Sequence, residues 1–302
     1  MANNLLVLDR EIIDKKKPLF MIAGFNQWAN AGNVSSGIPD FLIENLEARR
    51  LGYIDKGDFY LFQLPGSHYL FRPSVRYVDG FEEDYQMKPT NDFYYAEIGT
   101  KGLVIFLGTE PNQHEDVYTN ALLDAAADLH VRRIIMTSGV GFEVPFNKER
   151  LIGCIYSLKK MRKELNDYAV TFSNYDRNAT IGMVINHYSR ARNIEYVEMI
   201  ARTPSYQISL TIDSDKRAMY DMLRRIRHMC GINLDLSGLE KESRQQVSDT
   251  EKLISKLCMD HPDLEPQITA YMEQVEKGFE EVRFVEPVKI PEVFLREFDE
   301  SG

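Results

Sequence analysis

Short apolar runs alternate along this chain with segments whose apolar residues recur every three or four positions. The runs are Leu19 to Ala23, Phe59 to Leu64, Leu103 to Leu107, Arg133 to Thr137, Ala169 to Phe172 and Val197 to Ala201. Nearly continuous apolar strands of this kind are typical of a sheet that is covered on both faces. The repeated order of strand and helix predicts an α/β fold with a mostly parallel sheet flanked by helices.

Four segments with helical spacing predict the helices that cover this sheet. They lie in residues 34–46, 117–129, 181–188 and 218–230. Gly231 follows the last of them, at the position where a left-handed residue ends many helices. Pro39 lies inside the first, so the sequence predicts either a helix that begins near Ser36 or a kinked helix.

The end of the chain predicts a separate helical unit. Two apolar stripes lie on either side of the helix-breaking sequence His261-Pro262-Asp263, and their spacing predicts an αα-hairpin. Prolines at 287 and 291 exclude a continuous helix beyond it. We therefore expect an α/β domain over residues 1–235, a C-terminal helical hairpin over residues 239–285 and an extended tail over residues 286–302.

The distribution of charge bears on the class of partner. The net charge is −10, and residues 239–302, with 16 acidic and 8 basic side chains, carry −8 of it. Nucleic acid is a poor candidate partner because the chain has no basic stripe to neutralise phosphates. The acidic helical hairpin instead favours contact with a basic protein surface.

The cysteines and the apolar runs bear on location. Three cysteines without a C-x-x-C pair fit a reducing cytoplasm better than a disulfide framework or a zinc ribbon. No run reaches the roughly 18 apolar residues that a membrane-spanning helix needs, and the N-terminus lacks the pattern of a secretory leader. We expect a cytoplasmic protein with no membrane partner.

Motifs for common cofactors, metals and nucleophiles are missing from the sequence. Gly24, Gly32 and Gly37 fit neither the dinucleotide fingerprint nor a P-loop. The six histidines show no H-E-x-x-H or H-x-H pattern and no pairing with cysteine at metal spacing. No serine lies in a G-x-S-x-G elbow. We therefore expect no cofactor and no metal, and the sequence identifies no catalytic residue.

Polar side chains nevertheless follow several of the predicted strands. Ligands of open α/β sheets gather at the carboxyl ends of the strands, and two arginines four residues apart can clamp a carboxylate or a phosphate. The sequence accordingly predicts a candidate ligand-binding pocket lined by Asn26, Arg72, Arg76, Glu110, Ser138 and Thr180.

Each of these residues also has a structural interpretation, and the sequence leaves both open. The loop from Gly24 to Gly32, which contains the asparagine, fits a plain strand-to-helix turn, and the arginines fit salt bridges in a subunit interface. Glu110 fits the positive end of a helix that begins near Asn112. The threonine, or Asn178, fits an N-cap. Ser138 fits a groove of small exposed side chains.

Taken in order, these loops resemble those of a known family. The matching segments are Pro18 to Gly32, Arg72-Pro-Ser-Val-Arg76 with Val78-Asp-Gly80, Gly108-Thr-Glu-Pro111, and Tyr175 to Gly182. They are similar to the PAC2 family, relatives of proteasome assembly chaperone 2, and within it to the bacterial branch. The similarity covers residues 5–235 and extends loosely to the helical hairpin.

The resemblance implies a fold similar to that of purine nucleoside phosphorylases and a homo-oligomer, for which we expect a trimer. In eukaryotic and archaeal relatives it implies binding to proteasome subunits during assembly. Chaperone-type relatives often end in a hydrophobic-Tyr-X tail, whereas this sequence ends Phe298-Asp-Glu-Ser-Gly302. Asn30 also replaces an aspartate of bacterial members, and Gln27-Trp28 are inserted beside it.

Two main functions follow from these observations. The first is a non-catalytic, assembly-chaperone-like protein that contacts a partner, with the acidic helical hairpin as the contact surface. The alternative is an enzyme or small-ligand-binding protein that uses a phosphorylase-like pocket at the carboxyl ends of the strands. A structural oligomer with a vestigial pocket is a third. Trp28, the only tryptophan, would point either into that pocket or into a neighbouring subunit.

Overall fold

A computed structural model of the chain describes residues 5–26, 28–61, 74–86, 89–209 and 212–287. Its strands are β1 (Leu6–Leu8), β2 (Leu19–Asn26), β3 (Arg49–Ile54), β4 (Ser74–Val78), β5 (Phe81–Gln86), β6 (Asn91–Ile98), β7 (Lys101–Thr109), β8 (Val131–Phe142), β9 (Ile152–Tyr156), β10 (Thr171–Phe172) and β11 (Tyr196–Pro204). Its helices are α1 (Val34–Asn45), α2 (Glu115–Asp128), α3 (Arg162–Leu165), α4 (Ile181–Ala191), α5 (Tyr206–Ser209), α6 (Lys216–Cys230), α7 (Ser237–Asp260) and α8 (Glu265–Lys277). Within these ranges no helix has the length and apolar character needed to cross a bilayer.

One large sheet organises the molecule and confirms the predicted α/β fold. Its strand order is β1-β3-β6-β7-β2-β8-β11-β9-β10. The central strands β7, β2, β8 and β11 are parallel, while β6 and β9 run antiparallel to their central neighbours. The sheet is therefore mixed. A tight turn joins β6 to β7, with Gly99 at a φ of 56°, and hairpins of this kind make antiparallel pairs.

Side chains of the central strands alternate between two hydrophobic cores. In β2, Phe20 and Ile22 join the core beneath α1 and α6, which we call the first face. Leu19 and Met21 join the core beneath α2 and α4, the second face. Successive strand residues point to opposite faces, so a strand buried on both sides is apolar at nearly every position, as predicted.

Helix α1 lies unusually close to the sheet. It begins at Val34, before the expected Ser36, and contains Pro39. Proline has no N–H, so the carbonyl of Ser35 loses its helical donor. The hydroxyl of Thr137 on β8 lies 3.0 Å from that oxygen, and a Cβ at Gly24 would lie only 1.8 Å from it. Thr137 and Gly24 together explain how the helix accommodates its proline.

Some predicted strands differ in the structure. Residues 59–61 form a loop, whose Phe59 and Tyr60 are buried, while residues 62–64 lie outside the described part. Burial of two aromatic side chains from a loop produces the same apolar run as a strand. The strand predicted from Ala169 is reduced to β10, because Ala169 itself has a left-handed φ of 49°.

The predicted C-terminal helices are present as α7 and α8, on either side of residues 261–264. Helix α6 ends as expected at Gly231, with a left-handed φ of 62°. Helix α7 packs along α6, and Gln246 fixes it there by donating to the Ser214 carbonyl at 2.5 Å and accepting from the Lys216 N–H at 2.9 Å. The boundaries of the α/β domain and the helical hairpin remain a prediction, and residues 288–302 of the tail lie outside the described residues.

A buried ion-pair network connects α6 to the C-terminal segment. Arg150 donates to both carboxylate oxygens of Asp215, at 2.9 and 3.2 Å, and Arg225 pairs with Glu149 at 2.8 Å. Glu149 also accepts the backbone N–H of Phe284 at 3.0 Å. The chain beyond α8 is therefore held on its own α/β domain.

Candidate functional site

A cavity of about 520 Å³ opens on the second face, beside the carboxyl ends of β8 and β11. Its volume lies within the range of pockets that hold small ligands, and ligands of open α/β sheets bind at this edge. The side chains that matter for its chemistry are Trp28, Ser138, Tyr175, Thr180, Glu198 and Arg202. The cavity therefore coincides with the edge where the sequence predicts a pocket.

Glu198 is the most unusual of these side chains. It lies in β11 among apolar residues and is only 1% exposed. Ser138 on the neighbouring β8 donates its hydroxyl to Oε1 of Glu198 at 2.6 Å, while Oε2 has no hydrogen-bond partner among the described residues. Burial raises the pKa of Glu198 to about 7; the hydrogen bond from Ser138 lowers this pKa, and nearby Glu110 raises it.

The first turn of α4 closes one side of the carboxyl group. A Cβ at Gly182 would lie 2.6 Å from Cδ of Glu198, so glycine is needed where the helix passes the carboxyl. Thr180 is the N-cap of this helix, since its hydroxyl accepts from the Met183 N–H at 3.4 Å. The threonine therefore combines its predicted capping role with a place in the cavity wall.

Glu110 lies behind this wall and stabilises the same helix end. Its Oε1 accepts from the Ile181 N–H at 3.2 Å. Burial raises the pKa of Glu110, and hydrogen bonds from the backbones of Ile181 and Trp28 lower it. The expected contact with the helix that follows Glu110 in sequence was wrong: α2 begins at Glu115, and because α2 packs beside α4, Glu110 reaches the start of α4 instead.

The loop between β2 and α1 presents Trp28 at the cavity. The side chain of Trp28 is 64% exposed, and it lines the opening. Asn30 fixes the loop to α1 by accepting from the Ser36 N–H at 3.0 Å, and Ala29 fixes it to β8 by accepting from the Gly139 N–H at 2.8 Å. Trp28 therefore projects from an anchored loop, whose Gln27 lies outside the described residues.

Of the six predicted pocket residues, three (Asn26, Arg76 and Glu110) do not line the cavity and two do. Ser138 and Thr180 do, although Ser138 is buried within β8 and does not lie in the exposed groove of small residues considered from the sequence. Asn26 ends β2, and its carbonyl accepts from the Glu110 N–H at 3.4 Å. Arg76 is 67% exposed on β4 and pairs with Glu83 at 3.0 Å. Arg72 lies outside the described residues.

Strands β4 and β5 form a hairpin, residues 74–86, with a sheet of its own. Five of its apolar side chains are between 43% and 75% exposed: Val75, Tyr77, Val78, Phe81 and Tyr85. Its acidic side chains, Asp79, Glu82, Glu83 and Asp84, outnumber its single basic side chain, Arg76. The β4–β5 hairpin is thus an apolar surface with an acidic rim, a combination typical of interaction sites.

Glu198 was not predicted as a site residue, although the sequence contains a signal for it. It interrupts the apolar run Val197 to Ala201, and a charged residue inside a strand that is buried on both faces requires an explanation. No group of three or more potential metal ligands occurs in the described parts of the chain.

Comparisons with known proteins agree with this architecture. The family model described as "PAC2 family" matches residues 24–254. A PAC2 family protein from Streptomyces avermitilis is 19% identical with a TM-score of 0.67, covering 78% of this chain and 95% of its own. A proteasome-assembly chaperone homologue from Mycobacterium tuberculosis is 18% identical with a TM-score of 0.68, covering 78% and 94%.

The archaeal proteasome activator PbaB from Pyrococcus furiosus is 15% identical with a TM-score of 0.61, covering 82% of this chain and 97% of its own. A search of curated proteins gave no match. The structural neighbours are too distant in sequence to show more than a shared fold, whereas the family model matches most of the chain. The chain belongs to the PAC2 family.

Proposed function

We propose that this PAC2 protein is a non-catalytic, assembly-chaperone-like protein that binds a partner protein through its β4–β5 hairpin. The observation that carries the proposal is the set of exposed apolar side chains on that hairpin, of which Phe81 is the most exposed at 75%. Large exposed apolar side chains that cluster on one element mark protein-binding surfaces.

The charges around the hairpin define the kind of partner. Four acidic side chains against one basic side chain favour a partner with an apolar groove and a lysine- or arginine-rich rim. Two copies of the hairpin placed face to face would bring like charges together. The favoured occupant is therefore a different protein, and any homo-oligomer, for which a trimer is expected, would use another surface.

The relatives support a role in protein assembly. One is described as a proteasome-assembly chaperone homologue and another as a proteasome activator. By analogy, we propose a subunit of a proteasome-type ring as the partner, bound in the cytoplasm.

The acidic helices α7 and α8 are a second candidate contact surface. They pack on their own domain, yet both keep exposed acidic side chains such as Glu251 and Glu265.

The geometry gives little support to the alternative of an enzyme. The hydroxyl of Ser138 donates a hydrogen bond to Glu198, but no third group orients that carboxyl group, because its Oε2 has no hydrogen-bond partner among the described residues. Among the described residues no histidine hydrogen-bonds to either of them. A serine nucleophile is normally activated by an adjacent base that is itself oriented by a third group.

The test combines site-specific crosslinking with purified components. A photoreactive amino acid at position 81, 251 or 285 would be used to identify contacting proteins in source cells, and the partner found would then be purified. We expect a crosslink from position 81, and a dissociation constant at least about tenfold higher for Phe81→Ser, because truncating a central apolar anchor costs about 2 kcal/mol or more of binding free energy.

The matched control is Val285→Ser, which removes another exposed apolar side chain, far along the chain. It should leave the dissociation constant unchanged. Crosslinks from position 251 alone, or equal affinities for Phe81→Ser and the wild type, would contradict the hairpin as the binding surface.

A further inference from the structure

The cavity beside Glu198 has features that partner binding through the β4–β5 hairpin does not use. A carboxyl group that is 1% exposed contributes to its lining, and one oxygen of that group has no hydrogen-bond partner among the described residues. Nearly all buried polar atoms in proteins have a partner, and an unpaired one requires an explanation. The structure assigns this cavity as a binding site for a small organic ammonium ligand whose protonated amine pairs with Glu198.

The choice of a cation over an anion follows from the donors around the site. The N-terminus of α4 would otherwise attract an anion, but two of its first N–H groups are already used. Ile181 donates to Glu110 and Met183 donates to Thr180. Hydrogen-bond acceptors outnumber free donors at this end of the cavity. Glu110 lies close enough to Glu198 to raise the pKa of the Glu198 carboxyl group.

The positive charge of Arg202 lies toward the other end of the cavity. Arg202 is four residues beyond Glu198 on β11, a separation of about 13 Å along a strand. Its guanidinium stacks over the ring of Phe142 at 4.8 Å. Arg202 therefore neutralises Glu198 poorly, and Oε2, a buried oxygen without a hydrogen-bond partner among the described residues, lacks a charged partner.

The size and lining of the cavity favour an organic cation over a metal ion. A volume of about 520 Å³ far exceeds that of an ion, and the described residues hold no cluster of metal ligands. Trp28 and Tyr175, both more than half exposed, line the same cavity, and aromatic faces attract ammonium groups and apolar ligand bodies.

Ionisation of Glu198 links binding to pH. The titratable or charged groups around Glu198 are Glu110, just after β7, and Tyr196 and Arg202 on its own strand. Cys154 on β9 lies near it on the opposite face of the sheet, and α4 presents the backbone of Gly182. The pKa of Glu198 itself lies near 7. A primary ammonium group stays protonated throughout this range.

Phenethylamine is a suitable probe, and Trp28 is a suitable reporter because it is the only tryptophan. Binding would be measured by tryptophan fluorescence and by calorimetry on the full-length protein. We expect the dissociation constant to fall up to about 90-fold between pH 5 and pH 8, because the competent, ionised fraction of Glu198 rises from about 1% to about 90%. Two uncharged or anionic analogues, 2-phenylethanol and phenylacetate, should bind at least about tenfold more weakly at pH 8.

Three variants test the assignment. Glu198→Gln keeps the shape and the acceptor for Ser138 but removes the charge, and it should abolish the pH dependence and weaken binding at pH 8 by at least about tenfold. Tyr175→Ala, at an exposed position that does not affect the core, should weaken binding about fivefold. Glu115→Gln, at an exposed carboxylate outside the cavity, should bind like the wild type.

Phe81→Ser, which tests the hairpin, should leave phenethylamine binding unchanged, so the two proposals can fail separately. Equal affinities for phenethylamine and 2-phenylethanol, stronger binding of phenylacetate, no binding of phenethylamine at pH 8, or unaltered binding by Glu198→Gln would each overturn the ammonium site.

Discussion

Ser138 and Glu198 form a polar pair on the second face of the sheet, between two parallel strands whose other side chains on that face are largely apolar. The hydroxyl of Ser138 donates to Oε1 of Glu198 at 2.6 Å. One hydrogen bond does not replace the hydration that a carboxylate loses on burial. The buried group therefore retains its proton to an unusually high pH, and the stability of the fold depends on that proton.

The contribution of Glu198 to stability should fall as the pH rises from about 4.5 to about 7. The pKa of Glu198 is raised from 4.5 in the unfolded chain to about 7 in the folded one, so the folded state holds more protons in this interval. The stabilising contribution of the Glu198 proton is fully present below pH 4.5 and is lost progressively up to about pH 7. Above that pH it does not change further. The difference corresponds to about 3 kcal/mol in the free energy of unfolding.

Glu198→Gln is the matched variant for this prediction, because glutamine does not titrate. Urea unfolding at pH 5 and pH 8 would give the free energy of unfolding of both proteins. The wild type should lose stability relative to the variant between these pH values. A constant difference would mean that the carboxyl group is hydrated or otherwise paired in the folded protein.

Arg150→Met should be strongly destabilising. It leaves Asp215 buried without the guanidinium that contacts both of its oxygens, and loss of one partner of a buried ion pair costs about 3–5 kcal/mol. The same substitution at Arg76, in an exposed pair with Glu83, should cost less than about 1 kcal/mol. Chemical denaturation of the two variants measures the difference, and similar losses would argue against the buried network.

Gly24→Ala tests the close approach of α1 to the sheet. The new methyl group would lie 1.8 Å from the backbone oxygen of Ser35, so helix and strand must separate; overpacking typically costs 1–3 kcal/mol, occasionally more. Gly238→Ala, where a methyl group meets no atom within 4 Å, should be neutral or slightly stabilising, because alanine favours helices. Thermal unfolding distinguishes the two, and equal melting temperatures would contradict the packing described.

The sequence predicted the centre of the fold better than its edges. Strand β2 and helix α6 were recognisable because burial on both faces of a strand, or along one stripe of a helix, imposes an apolar pattern on consecutive residues. Strands β3 and β6 lie toward one edge, and their partly exposed residues, such as Tyr53 and Asp92, dilute that pattern. The loop residues Phe59 and Tyr60 produced an apolar pattern like that of a strand, because aromatic side chains can reach the core from a loop as well as from a regular strand.

The candidate cavity was predictable in position but only partly in composition. Ser138 and Thr180 follow from the rule that ligands gather at the carboxyl ends of strands. Glu110 was paired with the wrong helix, since the neighbour of α2 depends on crossovers that no local pattern specifies. Arg76 was predicted as a pocket residue from its chemistry alone. In the structure it lies in the separate sheet of β4 and β5, where it pairs with Glu83.

The C-terminal segment should depend on one aromatic side chain. Phe284 is buried beside Tyr168 and lies 5.0 Å from the guanidinium of Arg225. Phe284→Ala removes this anchor and should detach the segment after α8, costing up to about 3–5 kcal/mol if unfolding is cooperative and less if the segment opens locally. Hydrogen exchange of residues 279–287 should increase sharply, whereas Val285→Ala, at an adjacent side chain that is 81% exposed, should leave it unchanged. Equal exchange in both variants would contradict the ring as the anchor and favour the ion pairs of Glu286 with Arg224 and Arg227.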